Sequence, residues 1–185
     1  MKLSTKWIAL IIFFPTEIFS WETNDLTKFL EILNCNKCNL TGANFNKADL
    51  RAANLRNSDL SYASFYYTNL IGANLVATTI NNADLSGSNL FVANLSNSNV
   101  STSKFQGSNL SNANLTAMQI TKSDFRGANF FNANLTSAVI NESNFSSANF
   151  YRAILLNAEF DELIFSDALF CETIMPNGDR NDRNC

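Results

Sequence analysis

Large apolar residues recur at every fifth position over most of this chain. From Leu40 to Phe170, all 27 positions divisible by five hold Leu, Ile, Val or Phe, without an insertion. A small residue, usually Ala or Ser, stands two positions before each, and Asn or Asp commonly lies between. The unit reads Ala-(Asn/Asp)-(Leu/Phe)-x-x. Such a short, unbroken period indicates a solenoid of stacked repeats.

A second period of twenty residues is visible in the kind of large residue. One set is pure leucine from Leu55 to Leu155, and another is nearly pure phenylalanine from Phe45 to Phe165. Like side chains stack in register, so this sorting predicts coils of twenty residues with four sides. The 135 residues of 36–170 then make about seven coils, since 135/20 is 6.75.

The polar positions predict turns and ladders. Gly or Asn often stands two positions after the large residue, as at Gly87 and Asn112. Both residues tolerate the positive φ that the second central residue of a type II turn requires. Asn also recurs at twenty-residue intervals from Asn69 to Asn149. This spacing predicts ladders of side-chain amides bonded along the stack.

The pattern resembles the pentapeptide-repeat family, and units such as Ala43-Asn44-Phe45 and Ala113-Asn114-Leu115 carry the resemblance. The resemblance covers about three quarters of the chain. It implies an all-β fold, a right-handed quadrilateral β-helix with four pentapeptides per coil. The large and small residues of each unit would point inward, and the other three outward.

The N-terminal residues have a different pattern. Residues 1–20 combine two lysines with an apolar run of eight residues, which is shorter than the roughly twenty that a membrane span needs. They predict a signal peptide cleaved after Ser20, with an uncleaved interfacial anchor as the alternative. Residues 21–35 predict a capping helix over the first coil, because four apolar residues fall on one helical face: Leu26, Phe29, Leu30 and Leu33.

Residues 171–185 lack the period and are predicted to form a C-terminal capping tail. Their Met-Pro-Asn-Gly segment beside a cysteine resembles the ends of exported cyanobacterial members of the family. That likeness favours the periplasm or the thylakoid lumen. We predict a disulfide between Cys171 and Cys185 that holds the tail over the last coil. Cys35 and Cys38 stand at inward positions, as core thiols or as a local bridge.

The chemistry available to the chain is limited. It contains no histidine, which removes the usual general base and the commonest zinc ligand. Its net charge of −3 is far from the basic surface that nucleic-acid binding uses. We therefore predict no catalytic residue, no cofactor and no metal site, and expect a non-enzymatic scaffold rather than an enzyme.

An outward column gives the candidate interaction surface. Counting by twenty places Ile71, Phe91, Phe131 and Tyr151 above one another on one side, and we call these four residues the apolar stripe. An exposed apolar row of this kind indicates contact with a partner protein or a second copy.

Two alternative functions remain open. Some members of the family mimic B-form DNA and protect gyrase. The resemblance therefore makes DNA mimicry the first alternative function for this chain. Weak binding of a divalent cation is the other, because Glu142 and Glu162 are predicted neighbours with Glu159 and Asp161 nearby.

Overall fold

The computed structural model describes residues 23–185, and the predicted leader over residues 1–20 lies outside them. A single short helix, α1 (Thr23–Ile32), precedes a solenoid of parallel coils. The fold is the predicted β-helix with an N-terminal helix. Within the described part of the chain, no helix is long and apolar enough to cross a membrane.

Five short strands lie on one side of the solenoid and form a parallel sheet in chain order. They are β1 (Thr79–Asn81), β2 (Asn99–Ser101), β3 (Gln119–Thr121), β4 (Val139–Asn141) and β5 (Glu159–Asp161). Each pairs with the next at an offset of twenty residues, as Ile80 with Val100. After the coils, β6 (Thr173–Ile174) and β7 (Arg180–Asn181) pair antiparallel.

Isolated parallel bridges extend the same offset to both ends, from Asn34 with Asn54 to Ile154 with Ile174. The predicted twenty-residue coil is therefore confirmed. The bridges and strands together run over about seven coils, from Asn34 to Ile174, and the five strands of the regular sheet span about four of these turns. Earlier coils are held by single bridges on this side, because turns such as Leu60 to Ala63 close there and interrupt the strand.

Every repeat turns at the slot two positions after the large residue. The φ angle is positive there throughout, at Gly87 (65°) and Asn112 (58°), and also at Val92 (51°). Most of these turns close when the N–H of the next small residue donates to the carbonyl of the large residue, as Ala113 to Leu110 at 3.1 Å. The turn prediction is confirmed, although side chains that disfavour positive φ also adopt it.

The corner that follows the sheet is different. From Ala83 onward its small residue makes no such closing bond within the described chain, and a serine column takes over. The N–H of Ser103 donates to Ser123 Oγ at 3.1 Å, and the N–H of Ser123 donates to Ser143 Oγ at 3.0 Å. These buried hydroxyls satisfy backbone groups that would otherwise be unpaired.

The asparagine ladders form only in part. Among the described residues of the Asn69 column, side-chain amides join Asn89 to Asn109 and Asn129 to Asn149, each at 3.1 Å. A bond within the same turn recurs more regularly than the bonds between coils. In it, the side-chain oxygen of Asn accepts the backbone N–H two residues later, as Asn129 does from Phe131. The sequence prediction missed this local bond. The Asn side chain pairs with the backbone of its own turn, which leaves it less able to bond the Asn of the next coil.

Aromatic rings stack through the core. The ring centroids of Phe105 and Phe125 lie 4.6 Å apart, and those of Phe125 and Phe145 lie 5.0 Å apart, both nearly parallel. At the N-terminal end, α1 buries Phe29 against Phe45 with 5.6 Å between centroids. Disulfides occur at both ends, Cys35 with Cys38 and Cys171 with Cys185, at Cα separations of 5.4 and 5.0 Å.

Replacing Ser123 by Ala should destabilise the fold by about 1–3 kcal/mol, because the buried N–H of Ser103 loses its acceptor. Ser108→Ala is the matched control: that side chain is equally buried, and its hydroxyl has no hydrogen-bond partner. Urea denaturation of both variants measures the difference. Equal losses of stability would contradict the role assigned to the serine column.

Titration of thiols in denaturant without reductant should find none, and four should appear after reduction, because both cysteine pairs are bonded. Two free thiols before reduction would mean that one bridge is missing. Four would contradict both.

Candidate interaction surface

The apolar stripe lies on the side of the solenoid where the asparagine column holds the backbone. The N–H groups of its four residues donate to the side-chain oxygens of Asn69, Asn89, Asn129 and Asn149, at 3.3, 3.2, 3.1 and 3.0 Å respectively. Successive coils stand about 4.8 Å apart in a β-stack. The stripe is therefore a column of apolar side chains on a fixed backbone.

The stripe is less exposed than the sequence predicts, and it is divided. Phe91 is 39% exposed, whereas Ile71, Phe131 and Tyr151 are half-buried. Ser111 falls between the two halves, is 7% exposed and bonds its hydroxyl to Asn109. The stripe consists of two apolar pairs separated by a small polar residue.

The half nearer the C terminus continues into a charged contact. The rings of Phe131 and Tyr151 meet edge to face at 5.4 Å between centroids. Arg152 places its guanidinium carbon 4.9 Å from the centre of the Tyr151 ring, and its Nε donates to Glu172 at 2.7 Å. The hydrogen bond from Arg152 lowers the pKa of Glu172. This end of the stripe has an aromatic centre and a charged rim, as protein interfaces often do.

A cluster of exposed tyrosines was not predicted. Tyr62, Tyr66 and Tyr67 are all exposed, Tyr67 most at 59%. The rings of Tyr66 and Tyr67 meet at 4.5 Å between centroids. Glycine at 87 makes room for Tyr67, because an added Cβ would lie 2.8 Å from its ring. The signal available in the sequence was three tyrosines within one coil, all at outward positions.

The acidic residues considered for cation binding do not assemble into a site. Glu142 pairs with Lys122, whose Nζ lies 3.4 Å from its carboxylate. Within the part of the chain that the structure describes, no group of three or more His, Cys, Asp or Glu side chains could hold a metal ion. The arrangement does not support the divalent-cation alternative.

One acid on a neighbouring side is strongly paired. Asp124 accepts hydrogen bonds from Nε and Nη2 of Arg126, at 2.9 and 2.7 Å, and another from Gln106. Partial burial opposes the charged form, but these bonds outweigh it and lower the pKa of Asp124. Cations therefore interrupt the acidic residues on this side.

Comparison with known families identifies the fold. A model of pentapeptide repeats matches eight copies, over residues 34–68, 68–107, 93–136, 108–146 and 128–167. The chain belongs to the pentapeptide-repeat family. The match spans most of the solenoid, where the five-residue period is strict. No curated protein matches the chain significantly.

Solved structures of the family resemble this pentapeptide-repeat protein to different extents. A protein of the Arabidopsis thaliana thylakoid lumen is 29% identical, with a TM-score of 0.49, over 50% of this chain and 64% of its own. QnrB1, a plasmid-mediated fluoroquinolone resistance protein, is 19% identical, with a TM-score of 0.52, over 65% and 66%. Rfr23 of the cyanobacterium Cyanothece 51142 is 20% identical, with a TM-score of 0.50, over 77% and 98%.

QnrB1 and Rfr23 share the fold of this chain. This chain spans less than two thirds of the thylakoid-lumen protein and about two thirds of QnrB1.

Asp124→Asn should flatten the dependence of stability on acidic pH. A carboxylate whose pKa is lowered on folding stabilises the protein above its ordinary pKa, and that contribution disappears as the pH falls through the lowered value. Urea denaturation between about pH 5 and pH 2 should show a smaller change in the variant than in the wild type. Arg126→Gln should flatten the curve as well. Parallel curves for all three proteins would contradict the pairing.

Proposed function

We propose that this pentapeptide-repeat protein is a non-enzymatic interaction scaffold of an exported compartment, the periplasm or the thylakoid lumen. It binds a partner protein or a second copy of itself through the apolar stripe. The observation that carries the proposal is a column of aromatic and aliphatic side chains held outward by a regular backbone, with Phe91 exposed near its centre.

The backbone under the stripe is fixed before any partner arrives. Each coil is bonded to the coil above and the coil below, as Asn129 is to both Asn109 and Asn149. Side chains on such a support lose little conformational freedom on binding, which lowers the entropic cost of association. Aromatic groups with an arginine at the rim, as Tyr151 with Arg152, are enriched among residues that dominate interface energies.

Support for an exported compartment comes from two features. The N-terminal residues have the composition of a signal peptide. All four cysteines are paired in disulfides, and such bonds persist in oxidising compartments and are rare in the cytosol.

Mimicry of DNA is disfavoured as the function. A DNA mimic needs an extended acidic surface, whereas Lys104, Lys122 and Arg126 stand among the outward residues of the central coils. The fold shared with QnrB1 does not by itself supply that surface.

The double variant Phe91→Ser with Phe131→Ser should weaken association by about tenfold or more, because it removes one aromatic side chain from each half of the apolar stripe. Sedimentation measures self-association, and cross-linking followed by capture from the native compartment measures partner binding. Tyr66→Ser with Tyr67→Ser is the control, since it removes two exposed aromatics from a different side. Unchanged association in the stripe variant, or equal loss in the control, would refute the proposal.

A further inference from the structure

The last coil has an open edge. In the preceding coil, N–H groups donate forward to the next coil, as Phe145 does to the carbonyl of Ile164 at 2.7 Å. β5 has a strand on one side only. Within the described residues, the N–H groups of Phe160, Glu162, Phe165 and Asp167 have no backbone or side-chain acceptor. This edge offers four donors at the spacing of the preceding coils.

The C-terminal tail closes only the other half of the coil. The N–H of Glu172 donates to Asp182 and the N–H of Met175 to the carbonyl of Asp179. The disulfide from Cys171 to Cys185 holds the tail on that half. The predicted capping tail therefore covers only part of the last coil, because it folds back on itself as β6 and β7 instead of crossing β5.

The uncovered half exposes part of the core. Phe160, Leu163 and Phe165 occupy inward positions yet are only half-buried. Their counterparts one coil earlier, Ile140, Ser143 and Phe145, are almost fully buried. An additional strand laid on β5 would bury Phe160 while accepting the free N–H groups of Phe160 and Glu162. Open edges with an apolar floor are the usual template for strand addition.

The charge on this edge determines which side chains an added strand should carry. Glu159, Asp161 and Glu162 are all exposed. Arg183 of the tail lines a pocket together with Phe165 and Asp167, so the acidic charge that faces an added strand is that of Glu159, Asp161 and Glu162. In β5, Glu159 and Asp161 flank the inward Phe160. A strand paired in register would place one apolar side chain over Phe160 and its two neighbours beside these carboxylates. Lysine or arginine at those two positions would be stabilised.

We propose that the β5 edge binds an extended basic segment of a partner protein, with apolar and cationic residues in alternation. The segment adds as a parallel strand, accepts the free N–H groups of Phe160 and Glu162, and covers Phe160. A second copy of this edge does not fit, since it would bring the carboxylates of one copy against those of the other. This site lies at the end of the solenoid, apart from the apolar stripe.

The probe is a synthetic peptide of about nine alternating lysine and valine residues, long enough to span one side of a coil. It is added to the full chain, and binding is measured by fluorescence anisotropy. Binding should be detected below about 1 mM and should weaken as salt is added, because charge pairs at the surface are screened. A peptide of alternating glutamate and valine should not bind.

Amide hydrogen exchange locates the peptide. The amides of Phe160 and Glu162 should exchange at least about tenfold more slowly when the lysine–valine peptide is bound. The variant Glu159→Lys, Asp161→Lys, Glu162→Lys should bind it at least about tenfold more weakly. Glu31→Lys is the control, an exposed acid on α1 at the opposite end, and should leave affinity within about twofold.

Several results would overturn the proposal. One is no binding at about 1 mM, and another is binding that leaves the amides of Phe160 and Glu162 unchanged or tolerates the charge reversal. Slow exchange of these amides in the peptide-free chain would mean that another segment already occupies the edge. If that protection grows with protein concentration, a second copy occupies the edge. If it does not depend on concentration, the chain's own N-terminal residues do.

Discussion

The hydrogen bonds between residues twenty apart are the constraint on which the rest of this structure depends. They run from Asn34 with Asn54 to Ile154 with Ile174, and each coil contacts only its neighbours. A single inserted residue would move every later large side chain out of the core, so the five-residue period has to be strict. Stacked columns such as Phe105, Phe125 and Phe145 follow from this register.

The same constraint overrides local preference at the corners. Val92 and Tyr62 adopt positive φ although branched and bulky residues disfavour it. They do so because the turn is bonded within its own coil and to the next one, as Val92 is through Ser111. Each local cost is small beside the cross-coil bonds that one misplaced turn would break. Glycine also leaves room where another group comes close, as at Gly87 beneath the Tyr67 ring.

The two surfaces that we propose for binding lie where the repeat departs from its pattern. The apolar stripe puts Phe91 and Phe131 at slots that are mostly polar on other sides. The last coil puts Leu163 at a slot that is usually Ala or Ser, and it leaves donors on β5 unpaired. A regular solenoid gives these departures a rigid support, because its backbone is bonded on both sides everywhere except at its ends.

The sequence by itself determined the period, the coil length, the inward residues and the helical cap, because these depend only on which positions must be buried. Leu26 and Phe29 illustrate this, since their helical spacing was sufficient to place them against the first coil. Tertiary structure decided which partner each polar group finds and how far each outward side chain is exposed. It made Ser123 an acceptor for the coil before it, divided the stripe at the buried Ser111, and turned the tail away from β5. None of these could be read from the spacing, because a repeat shows which side chains face inward but not which partner each polar atom finds.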